Sequence, residues 1–155
     1  MGSDVGWKRA KPELTDEEIR RVEKELGLGF PEDYRDIVRQ HSGAVPTRTD
    51  FTYRHPVTGK LRGDGLAHLL PLRSEEKSSV LAVMGWLGDQ LPERVVPVGG
   101  NGGGNYICLD YRRGAPPGVS LWLHEETIEG CLVPLAGSFT EFLEMLSDPQ
   151  DDEEP

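Results

Sequence analysis

At 155 residues, with 36% hydrophobic and 28% charged residues, the chain is long enough for one domain with a substantial core. A net charge of −10 speaks against direct binding of DNA or RNA, and no apolar run is long enough to span a membrane. Its two cysteines, Cys108 and Cys131, stand too far apart for a disulfide framework or a zinc site; both are expected as buried free thiols.

Residues 1–13 read as a flexible lead-in, with Trp7 available to dock on the domain. They lack the apolar centre of a signal peptide, so a cytoplasmic location is expected. Thr15 and Glu18 then have the spacing of a capping box. Ile19, Val22 and Leu26 follow at helical spacing and Gly27 is a stop signal, which predicts a first helix over 16–26. Pro31 fits the first position of a second helix, Glu32 and Asp33 suit its dipole, and Gly43 ends it.

Residues 51–53 and 66–72 resemble strands, with turn signals at 57–60 and 62–65. Arg48, Arg54, Lys60, Arg62 and Arg73 make this region locally basic. The plainer reading, an exposed hairpin with ordinary charges, is preferred over a contact patch for an acidic partner. Ser74, Glu75 and Glu76 predict a third helix over 74–89. Its apolar stripe is Val80, Val83, Met84 and Leu87, and Trp86 falls outside it.

Residues 95–111, VVPVGGNGGGNYICLDY, organise the rest. They predict a strand, a turn containing five glycines, and a second strand. Ile107, Leu109 and Tyr111 should face one side of that second strand and Tyr106 and Cys108 the other, which places it centrally. Asp110 ends it and is expected to bind a turn amide or Arg112, or to face a ligand. Strands follow at 119–123 and 131–135. Ser138 and Glu141 repeat the capping-box form and open a last helix through Leu146. The tail 148–155 carries five acids and no base, half the net charge, and is expected to be disordered. This order predicts an α+β fold, a mainly antiparallel central sheet flanked by about four helices.

Motifs for chemistry are wanting. The glycine run lacks the lysine of a phosphate loop and the spacing of a dinucleotide fingerprint, and it enters a strand. Its backbone amides leave a small-ligand or anion site as a minor alternative. The four histidines have no helical zinc spacing, and no nucleophile elbow occurs. No enzymatic activity, cofactor or metal is expected.

The stretch LTDEEIRRVEKELGLGFPEDY at 14–34 resembles the opening of the SMI1/KNR4 domain, of the SUKH superfamily. VVPVGGNGGGNYICLDYR resembles that family's second motif and SFTEFLEML its terminal helix, so the resemblance covers 14–146. It implies an SMI1/KNR4-like domain over 14–147. It also implies an immunity protein that binds and neutralises a cognate polymorphic or contact-dependent bacterial toxin, many such toxins being nucleases. A regulatory adaptor binding a host protein is the alternative. A basic toxin surface would suit the acidic chain. No direct nucleic-acid or membrane partner is expected, and the protein should be a monomer or weak homodimer. Position and expected exposure select Asn105, Asp110, Trp122 and Glu125 as the partner-binding residues.

Overall fold

In the computed structural model, which describes residues 5–9, 12–73, 75–126 and 131–148, four α-helices and nine strands form the expected α+β fold. Helix α1 (Asp16–Leu26) begins with the predicted capping box: Thr15 Oγ1 accepts from Glu18 N at 3.1 Å, and Glu18 Oε1 accepts from Thr15 N at 2.9 Å. Gly27 closes it at φ +70°. Glu18 also accepts from Arg73 Nε at 2.9 Å, which ties this cap to the segment leading towards the third helix. Helix α2 (Glu32–His41) starts one residue later than predicted. Pro31 keeps an extended backbone and serves as the N-cap residue rather than the first helical one; Ser42 is the C-cap residue, and Gly43 at φ +75° turns the chain out of the helix as its stop signal predicts.

The lead-in is partly structured. Strand β1 (Trp7–Lys8) pairs with β2 (Val45–Pro46), and the Trp7 ring stacks on His41 with centroids 5.4 Å apart. Residues 1–4 and 10–11 lie outside the described residues, as do Ser74 and the tail from 149.

Strands β3 (Asp50–Arg54) and β4 (Leu61–Gly65) form a separate antiparallel hairpin. The predicted turn at 62–65 is therefore a strand. Its glycines weaken the local strand signal, but pairing with β3 over five positions decides the outcome. The predicted strand over 66–72 shortens to β5 (His68–Leu69). The hairpin's base is clipped to the end of the fold. Asp50 N donates to Ser147 O at 3.1 Å and Ser147 N donates to Asp50 O at 2.8 Å.

Helix α3 (Val80–Leu87) begins six residues after the predicted start. Ser79, not Ser74, caps it by accepting from Ala82 N at 3.2 Å. Ser78 at φ +61° interrupts any helix approaching from its N-terminal side. Trp86, whose position off the stripe leaves it either against a loop or open to a partner, is exposed.

The main sheet has the order β5-β6-β7-β8-β9, antiparallel throughout. Its other strands are β6 (Val95–Gly100), β7 (Tyr106–Asp110), β8 (Gly118–Trp122) and β9 (Leu132–Ala136). Strand β7 is central. Ile107, Leu109 and Tyr111 join the larger core with residues of all four helices, while Cys108 joins a second cluster with Val95, Trp122 and Cys131. Both cysteines are buried and free, and burial pushes both thiols up from their ordinary pKa. Helix α4 (Phe139–Glu144) ends two residues before the predicted Leu146, which is nevertheless buried. Ser138 caps it, but the Glu141 carboxylate reaches Gly137 N rather than closing a box on Ser138. Asp33 Oδ2 accepts from Thr140 N and Oγ1, each at 2.9 Å, which docks α4 on α2.

Tyr34 sits fully buried between Phe30 and Phe139, and its hydroxyl has no hydrogen-bond partner among the described residues. A buried, unpaired hydroxyl is destabilising. Tyr34→Phe is therefore expected to raise stability by about 1 kcal/mol in urea unfolding. A drop in the midpoint at unchanged slope would mean that the hydroxyl is paired.

Candidate functional site

The glycine run divides into two parts. Gly99 and Gly100 belong to β6, so the turn itself is 101–105. At Gly99 a Cβ would lie 2.5 Å from Leu66 Cδ1, which explains the missing side chain there by close packing rather than by turning. Within the turn, Asn101 Oδ1 accepts from Gly103 N at 2.7 Å and Asn105 N at 3.0 Å. Two of the amides that an anion would need thus already have an acceptor.

The turn is anchored to the hairpin through Asp64. Asn101 Nδ2 donates to Asp64 Oδ1 at 2.9 Å and Asn105 Nδ2 to Asp64 Oδ2 at 3.0 Å, while Gly65 N donates to Oδ1 at 2.8 Å. On its other side, Asn105 Oδ1 accepts from His124 N at 3.0 Å and lies 2.7 Å from His124 Nδ1. That geometry assigns the Nδ1 proton to the imidazole as donor. Gly104, at φ +110°, leaves room for the same ring: a Cβ would lie 2.9 Å from His124 Nδ1.

Between the hairpin and the turn lies a polar cleft of about 240 Å³, lined among others by Tyr53, Arg62, Asp64, Asn105, His124 and Glu125. One wall is fixed by His55, which is buried. Its Nδ1 accepts from Val57 N at 3.1 Å and Thr58 N at 3.3 Å, so Nε2 carries the proton and meets Glu126 Oε2 at 3.0 Å. Arg62 and Glu125 offer opposite charges at the cleft, and the Glu125 side chain is 80% exposed. The arrangement suits recognition of polar and charged side chains, with a rim that a rigid turn and hairpin hold in place.

Of the four selected residues, the cleft brings together Asn105 and Glu125. Asp110 lies at the far end of β7. Arg112 binds it through Nη2 at 2.8 Å and Nε at 2.9 Å, and Ser120 Oγ donates to it at 3.2 Å. Burial alone would raise the Asp110 pKa, but hydrogen bonds from the Arg112 side chain and backbone N–H and from Ser120 hold it below the usual carboxylate value. The expected exposure of Trp122 is corrected. It is 3% exposed in the second core cluster, with Nε1 donating to Gln90 O at 3.2 Å. Its position near the end of its strand suggested exposure, but a second apolar layer covers that face of the sheet.

Sequence reasoning missed Asp64 and Asn101 as cleft residues, and it grouped Arg62 with a basic stretch rather than with the turn. Asp64 and Arg62 lay in a segment read as a turn. The symmetry of Asn101 and Asn105 about three glycines was the available signal for a side-chain-locked turn.

Among the described residues, no helix is long and apolar enough to cross a membrane, and no three histidine, cysteine, aspartate or glutamate side chains are grouped to hold a metal ion. The sequence model of the SMI1/KNR4 family (SUKH-1) matches residues 13–145. The chain is also similar to the SPbeta prophage-derived uncharacterized protein YokK of Bacillus subtilis (strain 168). The two are 24% identical over 147 residues, covering 86% of this chain and 75% of the relative.

Proposed function

This chain belongs to the SMI1/KNR4 family (SUKH-1), and from that membership we propose that it is an immunity protein that binds and neutralises a cognate bacterial toxin domain. The family match across nearly the whole domain carries this reading. The polar cleft supports it, since its exposed rim offers charge and hydrogen bonding to a protein surface. Residues 14–147 form the binding domain, acting in the cytoplasm as a monomer or weak homodimer. Asn105 and Glu125 are the proposed contacts. Asp110, held by Arg112, and Trp122, buried, serve the fold. A basic toxin surface would be steered towards a chain of net charge −10.

The test is coexpression in a bacterial host with the C-terminal domain of the protein encoded beside this one. Growth arrest by that domain should be relieved, and the two chains should elute as one complex. Glu125→Lys should slow association about tenfold at low salt. Continued arrest in the presence of the folded protein would overturn the assignment.

A further inference from the structure

The outer face of the β3–β4 hairpin forms a second surface, separate from the cleft. Among the described residues three large hydrophobic side chains are exposed, and two of them, Val57 at 68% and Leu61 at 66%, stand at the hairpin's tip. Arg54 lies cross-strand from Leu61, and Lys60 precedes it. Cross-strand partners share a face, so Arg54 and Leu61 lie together on the face opposite buried Phe51 and Tyr53. Arg62, cross-strand from Tyr53, belongs to the cleft side.

The charges here differ from those elsewhere. Arg35, Arg39, Arg73 and Arg112 each meet a carboxylate. Arg54 and Lys60 form no ion pair among the described residues, and residues 51–63 contain no acid, in a chain with 27 acids and 17 bases. The tip is also preorganised. An Arg54 guanidinium N–H donates to Gly59 O at 2.6 Å, and the buried His55 collects two backbone N–H groups of the same turn. Strand β4 pairs with β3 and with no other strand among the described residues, so it offers its second edge to an added strand.

We propose that this face docks an acidic, extended protein segment, whose carboxylates meet Arg54 and Lys60 and whose aliphatic side chains cover Val57 and Leu61. Charge complementarity selects an acidic occupant. The acidic remainder of the chain opposes it, but that repulsion is screened beyond about 8 Å at physiological ionic strength, so adjacent cations and apolar contact decide. A nucleic acid fits less well. Its affinity grows with the number of phosphates neutralised, and this face has two cations and no aromatic ring on which bases can stack. The inference goes beyond the toxin-binding reading and does not depend on it.

The probe is a capped synthetic peptide alternating glutamate with leucine and valine, titrated into the isotope-labelled full chain and followed by amide chemical shifts. Shifts confined to residues 52–63 are expected. Lys60→Glu combined with Leu61→Ser, both exposed, should weaken binding at least tenfold while leaving the far-ultraviolet circular dichroism unchanged. Four results would each overturn the proposal: no shifts in the hairpin, an equal response to the lysine version of the peptide, a stronger response of the same amides to oligothymidylate, or hairpin shifts that follow protein concentration alone and so assign the face to a second copy.

Discussion

Gly104→Ala is expected to lower stability by about 3 kcal/mol, from left-handed strain of about 1–3 kcal/mol and the disruption of a hydrogen-bonded ring. Its φ of +110° disfavours any side chain, and the new Cβ would lie 2.9 Å from His124 Nδ1. That ring has no easy retreat, because Asn105 Oδ1 holds it at 2.7 Å. Gly102→Ala separates the two causes. Gly102 is also left-handed, at φ +85°, but its nearest neighbour, Ala67 Cβ, would be at a comfortable 3.8 Å. Backbone strain alone should then cost about 1–2 kcal/mol. Urea unfolding of both variants gives the difference, and equal losses would mean that the His124 contact adds nothing.

Asp64→Ala is expected to cost about 2–4 kcal/mol, since hydrogen bonds to a charged acceptor are each worth about 1.5–3 kcal/mol and these are partly exposed. One carboxylate accepts from Asn101, Asn105 and Gly65. Without it the turn and hairpin lose their link, and amide hydrogen exchange over 101–105 should speed up alongside the fall in stability. Asp64→Asn keeps one acceptor oxygen but turns an amide N–H₂ towards another donor, so it should recover only part of the loss. Full recovery would show that geometry, not charge, holds the turn. Slow exchange in Asp64→Ala would show that Asn101 suffices to hold it.

Features that depend on neighbouring residues were legible in the sequence. Thr15, Glu18 and Gly27 delimit α1 through contacts within a few residues, and the alternating apolar residues of β7 disclosed a strand covered on both faces. Features decided at long range were not. Ser74 and Ser79 carry the same capping chemistry, and only the backbone at Ser78 distinguishes them. The stretch LRGDG has the composition of a turn and becomes a strand because β3 pairs with it. Two of the four selected residues line the cleft for this reason: Asn105 and Glu125 sit near the recognisable turn, whereas Asp64 reaches it from a strand that composition concealed.

The clip between Asp50 and Ser147 also constrains the order of assembly. The hairpin itself is local and can close within microseconds. Its attachment joins residues 97 apart, and the Asp33–Thr140 contact joins residues 107 apart. Contacts of such separation form late, after the entropy of closing the intervening loop has been met. On the ribosome, both must also wait for the last-made part of the domain. A nascent chain can therefore form the hairpin and the 11-residue α1 only transiently until these contacts fasten them, because each is marginal in water by itself.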